Sequence, residues 1–296
     1  MYKIKDKPED FFVKEVLKLP KGKGYGYFLL KKKDWNTIDA VRVIAKKLRI
    51  KGKNIKYAGL KDKKAITEQY ISIKNAKKIN VKIKDIELKK IGEGDEPIKL
   101  GGLEGNKFKI IVRNLETKKN LKLSKIENYF DAQRFSNKNI KIGKALLKRD
   151  YKELCKLLNL KNKGEVFRFD RQLLRFTLNS FQSYVFNKAL DKYLTQSKKN
   201  IKLPLINFDT EFENKTIEKI YMNILEEEDV EKENFIFKEM PFLVSEGKDR
   251  EIFVKVENFK YKYSRDERNK KKFKCVLEFY LKKGSYGTLV VKKLFS

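Results

Sequence analysis

The sequence predicts a protein that combines strands and helices, with strand patterns toward both ends of the chain and helical patterns between them. Segments rich in β-branched and aromatic residues dominate the first 113 residues, and FKCVLEFY near the C-terminus has the same character. Between Ile140 and Gln196 the apolar residues recur three and four positions apart, as on one face of a helix. With 296 residues, the chain has the length of one large or two modest domains.

The N-terminal strands surround one clear helix. GYGYFLLKKK predicts a strand, and NTIDAVRVIAKKL predicts a helix that Asn36 or Thr37 can cap. Ile38, Val41 and Leu48 fall on one face of this helix, which is therefore expected to be buried. Four more strands are predicted in the segments NIKYAGL, ITEQYISI, INVKIKDIELKKIG and NKFKIIVRNL.

The later elements are mostly helical. Ser124 and Glu127 have the spacing of a capping box, so SKIENYFDAQRF predicts the start of a helix. Gly284 and Ser285 can cap a short helix at the C-terminus. A turn or short strand is predicted in LPLINFDTEF, and helices in IGKALLKRDYKELCKLLNL, RQLLRFTLNSFQSYVFNKALDKYL and TIEKIYMNILEEE.

The net charge indicates a polyanionic partner. Lys and Arg number 72 against 40 Asp and Glu, which gives a formal net charge of +32, and such an excess favours nucleic acid. The exception is the stretch 207–250, where 13 acidic residues outnumber 6 basic ones; a solvated acidic surface is its simplest interpretation. The sequence shows neither a membrane span nor the apolar core of a signal peptide, so we expect a soluble cytoplasmic protein.

The chain has no histidine and only two cysteines, Cys155 and Cys275, which lie far apart. Without histidine, Ser-His-Asp and Cys-His nucleophile pairs and HExxH zinc sites are excluded. Each cysteine lies in an apolar pattern, so both are expected to be core thiols, and neither a disulfide nor a metal site is expected. Any catalysis would therefore depend on a carboxylate, a lysine, a tyrosine or water.

The stretch YAGLKDKKAITEQ places one carboxylate, Asp62, among the lysines Lys61, Lys63 and Lys64. Gly59 permits a tight backbone before it, so the loop can present a side chain at the end of a strand. A carboxylate can attack a sugar carbon directly, without histidine or metal, and the lysines would attract phosphate. The alternative is an ordinary solvated turn.

Aromatic, amide and arginine residues give further candidates for RNA contacts. Phe11 and Phe12 follow a Pro-Glu-Asp turn, so one ring can stack on a base while the other is buried; a core strand is the alternative. The segment NYFDAQRF combines Asn128 with Phe130, as an RNA-reading surface or as part of an amphipathic core helix. Arginine is sparse beside lysine, and contacts with the RNA backbone are expected from Arg113, Arg134, Lys61 and Lys63.

Six segments together resemble the TruD family of pseudouridine synthases. They occur in the family's order and spacing over nearly the whole chain, and the motif KDKKAITEQ is highly specific. The segments are PEDFFVKEV, YAGLKDKKAITEQYIS, GNKFKIIVRNL, NYFDAQRFS, FQSYVFNKAL and KKGSYGTLVVKKL.

The resemblance implies an RNA-modifying enzyme. Members of the family isomerise uridine to pseudouridine in RNA, in bacteria at position 13 of the tRNA D arm, and they use no cofactor and no metal. The family's nucleophilic aspartate falls on Asp62, and a candidate ion-pair partner falls on Lys5. The family's substrate-pocket positions fall on Phe11, Asn128, Phe130 and Tyr286.

The resemblance also implies the fold. It predicts a catalytic domain of the α+β class with a mixed, mainly antiparallel sheet, interrupted by an inserted α/β domain. The insertion is expected at residues 153–248 and the discontinuous catalytic domain at 1–152 and 249–296. The RNA is expected in the cleft between the two domains.

The chain departs from the family pattern at several positions. Asp131 and Ser136 stand where glycine is usual, Gly287 stands where alanine is usual, and Lys292 and Lys293 replace an arginine-glutamate pair. A carboxylate at position 131 is expected either to disfavour the approach of RNA or to mark an altered substrate.

Two other functional classes would use the same charge. A non-catalytic RNA-binding or assembly protein would keep its RNA function after the substitution Asp62→Ala. A metal-dependent nuclease would need a tight acidic cluster, which the sequence lacks outside the stretch 207–250, and a chelator would stop its cleavage.

Overall fold

The structure is a computed structural model that describes residues 1–76, 79, 81–135, 137–244 and 248–296. The strands are β1 (Phe11–Val16), β2 (Tyr25–Lys33), β3 (Ile55–Tyr57), β4 (Ile66–Lys74), β5 (Ile86–Gly94), β6 (Gly105–Leu115), β7 (Lys125–Glu127), β8 (Lys202–Leu205), β9 (Lys248–Glu251), β10 (Phe253–Lys255), β11 (Glu257–Arg265) and β12 (Phe273–Lys282). The helices are α1 (Thr37–Leu48), α2 (Asn137–Leu147), α3 (Tyr151–Leu158), α4 (Lys163–Arg168), α5 (Arg171–Gln196), α6 (Lys215–Glu227) and α7 (Gly287–Phe295).

The chain divides into two compact units. The first unit is discontinuous and comprises residues 1–126 and 255–296, and the second comprises residues 127–254. The sequence placed the insertion at 153–248 instead. Helix α2 precedes residue 153 but packs on α3 and α5, all within the second unit, because its apolar face contributes to their core.

One large sheet organises the first unit. Its strand order is β11-β12-β6-β1-β4-β2-β5, with β3 also paired to β4. The pair β1–β4 is parallel, with Phe12 opposite Ile66, and the other described pairs in this sheet are antiparallel. This arrangement confirms the predicted α+β class with a mixed, mainly antiparallel sheet.

Helix α1 packs on this sheet as its pattern predicts. The Asn36 side chain caps the helix by accepting a hydrogen bond from the backbone N–H of Asp39 at 2.8 Å. Val41 and Ile44 lie in the core with apolar residues of β2 and β4. Ile38 was also predicted to be buried, but its side chain in the first turn is half exposed.

The second unit is built around α5, which is 26 residues long and buried along much of its length. β8 and β9 form an antiparallel pair beside the helices. The acidic residues at the end of α6 form ion pairs: Glu227 binds Lys188 and Lys192 of α5, and Glu228 binds Lys144 of α2. Part of the acidic stretch is therefore neutralised within the unit. Among the described helices, none has both the length and the hydropathy to cross a bilayer.

The helix predicted to start at Ser124 does not form. Residues 125–127 are strand β7, which pairs with β10, and the backbone N–H of Asn128 bonds to the carbonyl of Ile252 at 2.8 Å. A distant segment thus supplies the hydrogen bonds that a capping box would have supplied locally, and tertiary pairing overrides the local signal. At the C-terminus, α7 begins after Tyr286 and not at the predicted Gly284-Ser285 cap.

A buried ion cluster ties three parts of the first unit together. The guanidinium of Arg113 on β6 is 1% exposed and donates two hydrogen bonds to Asp10, at 2.9 and 2.8 Å, and one to Asp266, at 2.9 Å. Burial raises the pKa of Asp266, but hydrogen bonds from Asn114, Arg268 and others lower it to about 2. This carboxylate therefore stabilises the fold at neutral pH, and the contribution is lost as the pH falls from about 4 toward 2.

We expect Arg113→Met to lower the free energy of unfolding by about 3–5 kcal/mol, because it leaves the buried carboxylates Asp10 and Asp266 without their cation. Urea unfolding at pH 7 measures the change. Glu267→Gln is the matched control, since Glu267 binds the same guanidinium from a half-exposed position and its loss costs about 1 kcal/mol or less. Equal effects of the two substitutions would contradict this account.

The two thiols are expected to differ in reactivity. Cys275 on β12 is buried, and burial raises the pKa of its thiol to about 11, whereas Cys155 on α3 is half-buried. Cys275 is therefore fully enclosed in the core, as predicted, whereas Cys155 packs against the core of the second unit and stays partly accessible. In native protein at pH 8, a disulfide reagent should label Cys155 and leave Cys275 unmodified until the protein unfolds. The variant Cys155→Ser should then show no rapid labelling, and rapid labelling of it would disprove the assignment.

Candidate active site

Asp62 lies in the loop between β3 and β4, and its carboxylate forms an ion pair with Lys5. The Lys5 Nζ is 2.6 Å from Oδ2 of Asp62, and the two side chains are 16% and 36% exposed. Lys5 precedes β1, and Asp62 precedes β4, the parallel neighbour of β1. The carboxylate is thus oriented by a cation while remaining accessible to a ligand.

The backbone of Lys5 is held in an unusual conformation. Its φ angle is 54°, in the left-handed region, which costs a non-glycine residue roughly 1–2 kcal/mol. On its N-terminal side, Lys3 and Arg113 exchange two backbone hydrogen bonds, at 3.0 and 2.8 Å. On its C-terminal side the chain enters a 3₁₀ turn at Pro8–Asp10. These flanking contacts, which include the backbone of the residue at the centre of the ion cluster, hold the backbone on both sides of Lys5.

Phe11, predicted to line the substrate pocket, is a core residue in this structure. Its ring is 2% exposed and meets the Phe108 ring edge-on, with centroids 6.2 Å apart. The ammonium of Lys5 lies 4.2 Å from the Phe11 ring centroid, a cation–π distance. The Phe11 ring therefore packs against the Lys5 ammonium and has no exposed face on which a base could stack.

Side chains outside the loop clamp the backbone that carries Asp62. The hydroxyl of Thr37, at the start of α1, accepts a hydrogen bond from the N–H of Lys61 and donates one to Gln69 Oε1, both at 2.9 Å. Gln69 in turn donates to the carbonyl of Gly59 at 3.1 Å. The side chains of Thr37 and Gln69 are buried, so these bonds are shielded from water.

A second buried cation contacts the loop from β2. The Lys32 side chain is 0% exposed, and its Nζ donates to the carbonyls of Asp62, at 3.1 Å, and Trp35. Burial lowers the pKa of Lys32 to about 8, with the charge of Asp62 acting in the opposite direction. Sequence reasoning missed Lys32, since a lysine in the run KKK gives no signal; it missed the role of Gln69 although this residue lies within the diagnostic motif.

The cations predicted to contact the RNA backbone fall into different environments. Lys61 is 7% exposed and pairs with the buried Glu15 of β1 at 2.8 Å. Arg113 is occupied by the buried ion cluster, so the structure gives both residues structural roles in place of the predicted phosphate contacts. Lys63 is exposed beside Asp62, and a phosphate contact stays a prediction for it. Arg134 is partly exposed, 5.3 Å from the Phe176 ring.

A pocket of about 340 Å³ opens beside Asp62. Its walls include Thr37 and Lys63 and two well-exposed apolar side chains, Ile38 and Leu60. Volumes from about 300 Å³, with apolar walls and a few polar groups, are typical of small-molecule sites. The pocket can therefore hold a group of the size of a nucleobase or nucleoside next to the carboxylate.

The C-terminal departure from the family pattern has a packing explanation. Gly287 is buried at the start of α7, and a Cβ atom there would lie 2.7 Å from the Phe108 ring. Glycine thus makes room for the aromatic ring on which Phe11 rests. Tyr286, predicted as a pocket residue, is half-buried just before this helix, and Lys292 and Lys293 lie in its last turn.

Asn128 belongs to the second unit, where Arg250 binds it. The Arg250 guanidinium donates to the side-chain oxygen of Asn128 at 2.6 Å and to its backbone carbonyl at 2.9 Å. The Asn128 amide nitrogen donates to the carbonyl of Glu251 at 2.9 Å. Both ends of this amide are therefore bound within the protein, the oxygen by the Arg250 side chain and the nitrogen by the Glu251 backbone.

Phe130 is fixed by the same arginine and by α5. The Arg250 guanidinium lies 4.2 Å from the Phe130 ring centroid, and the Phe186 ring meets it edge-on at 5.5 Å. The Asn187 side chain bonds to both the N–H and the carbonyl of Phe130, each at 2.9 Å. The backbone of this segment is thus clamped and its ring packed on two sides. Arg250 and Asn187 were not predicted, although Asn187 lies within the motif FQSYVFNKAL.

Asp131 follows directly and is only 4% exposed, so its carboxylate does not face the solvent. Asp131 therefore presents no exposed charge that could repel RNA. Ser136, the other departure in this segment, lies outside the described residues. No cluster of three or more potential metal-ligating side chains occurs in the ranges that the structure describes.

The chain is similar to known proteins over nearly its whole length. The family model "tRNA pseudouridine synthase D (TruD)" matches residues 2–166 and 191–294. The "tRNA pseudouridine synthase D" of Aquifex aeolicus is 31% identical over 99% of this chain and 98% of its own, and the "Probable tRNA pseudouridine synthase D" of Thermococcus sibiricus is 30% identical over 99% and 94%. The crystal structure of the "Putative tRNA pseudouridine synthase D (TruD)" from Methanosarcina mazei is 24% identical in sequence. It superposes with a TM-score of 0.71 over 98% of this chain and 92% of that one, which shows the same fold.

The contrast between Lys61 and Lys63 is testable. We expect Lys61→Met to lower the free energy of unfolding by about 3–5 kcal/mol, because Glu15 stays buried without its cation. Lys63→Met should leave stability within about 0.5 kcal/mol, weaken tRNA binding and reduce the slope of log K against log salt by about 1. Urea unfolding and salt-dependent filter binding measure the two effects. If Lys61→Met instead weakened tRNA binding without loss of stability, Lys61 would be an RNA contact as first predicted.

Proposed function

Because the chain belongs to the TruD family of tRNA pseudouridine synthases, we propose that Asp62 is the nucleophile that isomerises a uridine of tRNA to pseudouridine, without a cofactor. The observation that carries this proposal is the Lys5–Asp62 ion pair beside a pocket of nucleoside size. By analogy with its bacterial relatives, the proposed target is position 13 of the D arm. Because the substrate is tRNA, the proposed location is the cytoplasm.

The proposed reaction begins with a uridine that leaves the tRNA fold. Unstacking a base costs a few kcal/mol, which contacts with the protein offset. The apolar side chains Ile38 and Leu60 give the base an uncharged wall, and Lys63 gives its phosphate a cation. Asn128, Phe130 and Tyr286 remain proposed substrate contacts, and Arg134 a proposed backbone contact.

The chemistry exchanges one glycosidic bond for another. In one route, an Asp62 oxygen attacks C1′, the N1–C1′ bond breaks and uracil leaves with the electron pair. In the other route, a base removes the C2′ proton and uracil leaves to form a glycal. The uracil then turns, and C5 bonds to C1′ while the Asp62–C1′ bond breaks in the first route or C2′ regains a proton in the second. In either route the C5 proton passes to a base and N1 takes up a proton, so no atom is gained or lost. Lys5 holds the carboxylate in the geometry for this step.

The clamped loop suits this chemistry, because a nucleophile must be placed to within a fraction of an ångström. Lys5 orients the carboxylate, and Thr37 and Gln69 hold the backbone on its N-terminal side. The proposed step uses no histidine, and the chain contains none.

We expect Asp62→Asn to lower kcat at least about 1,000-fold while tRNA binding changes less than about threefold, because the nucleophile is lost and the lysine surface is kept. The assay is incubation with a tRNA transcript in the presence of EDTA, followed by carbodiimide modification and primer extension. Asp85→Asn is the matched control, since Asp85 is exposed and distant in sequence.

Each rival function has its own outcome in this assay. Wild-type protein that binds tRNA but forms no pseudouridine would be a non-catalytic RNA-binding protein. Cleavage of the transcript that EDTA suppresses would identify a nuclease. Pseudouridine formation at the normal rate by Asp62→Asn would remove Asp62 from the mechanism.

A further inference from the structure

Lys32 is a buried cation without an anionic partner in direct contact. Its side chain is 0% exposed, and within the described residues it forms no salt bridge. Its ammonium donates to two carbonyl oxygens, those of Trp35 and Asp62. A buried ammonium that lacks a carboxylate is costly, so a position that keeps one usually depends on what the charge does there.

The two carbonyl groups that Lys32 binds belong to different segments, so Lys32 links these segments. Trp35 lies just before α1, and Asp62 lies in the loop that α1 faces. Three side chains hold the loop backbone at three points. Gln69 binds the carbonyl of Gly59, Thr37 the N–H of Lys61, and Lys32 the carbonyl of Asp62. The last of these bonds is made by the residue that carries the reacting carboxylate, and its donor is a cation.

We propose that Lys32 is a positioning residue for catalysis, which holds the Asp62 main chain and places a second positive charge near the carboxylate that Lys5 binds. The inference rests on the proposed role of Asp62 as nucleophile. Lys32 itself is fully buried and does not reach the pocket, so it acts through Asp62 and not on the uridine.

The charges around Lys32 determine how it responds to pH. Burial lowers the pKa of Lys32 to about 8, the negative charge of Asp62 raises it, and the positive charge of Lys61 lowers it further. From β1, Glu15 pairs with Lys61. From α1, the first-turn carboxylate is Asp39, which is bound to the side chain of Asn36. As the pH rises through about 8, Lys32 loses its charge while both carbonyl contacts can remain as neutral hydrogen bonds.

The first test is the variant Lys32→Met in the pseudouridine assay, with Lys33→Met as control. Lys33 is the next residue of β2, is partly exposed and pairs with Glu9. We expect Lys32→Met to lower kcat about 10- to 100-fold with KM for tRNA changed less than about threefold, because a displaced nucleophile binds substrate but reacts slowly. Lys33→Met should keep kcat within about twofold.

The pH profile separates positioning from mere stability. Wild-type kcat should fall above about pH 8, and the folded Lys32→Met variant should lack that fall. If Lys32→Met does not fold, Lys32→Gln, which keeps one donor and no charge, takes its place and should show the same loss of kcat and of the alkaline limb. A folded variant with normal kcat and an unchanged profile would overturn the inference. Wild-type protein without any activity would instead overturn the proposed function.

Discussion

The one parallel strand pair in the described sheet brings together the two residues of the proposed active site. Strands β1 and β4 run side by side in the same direction, so the segments that precede them emerge at the same edge. One segment carries Lys5 and the other carries Asp62, which are 57 positions apart in the chain. An antiparallel pair would have placed these two residues at opposite ends of the sheet. The ion pair is therefore a consequence of topology, and the surrounding antiparallel strands hold that topology in place.

Buried cations are the second recurring feature of this unit. Arg113, Lys61 and Lys32 are enclosed, although the chain carries a net charge of +32 and lysine is expected on its surface. Each meets a defined set of oxygen atoms: carboxylates for Arg113 and Lys61, and carbonyls for Lys32. Cations of this kind give directional bonds that apolar packing cannot give. Two of the three belong to or bind the loop that carries Asp62: Lys61 lies in it and Lys32 bonds to its backbone. The surface lysines are the proposed RNA contacts, whereas these internal cations hold carboxylate and backbone groups inside the unit.

The sequence predicted the elements with strong local signals, such as α1 with its Asn36 cap, and the resemblance to a family predicted the sheet and the position of Asp62. The predictions from sequence were wrong where contacts with distant segments determine the local structure or the role of a residue. The capping box at Ser124 yielded to pairing of β7 with β10, more than 120 positions away. Arg113 was read as an RNA contact because its acidic partner Asp266 lies 153 positions away and leaves no local pattern. A lysine-rich background likewise hides Lys32, since sequence alone does not separate one buried ammonium from many exposed ones.

At Lys5, backbone strain and the ion pair with Asp62 have opposite effects on which residue is best suited to the position. Glycine or asparagine would adopt this conformation with little strain, but neither could offer Asp62 an ammonium group. Replacing Lys5 by either residue would therefore relax the backbone and remove the cation in one step. The strained backbone at this position is the conformational cost of holding an ammonium group next to Asp62.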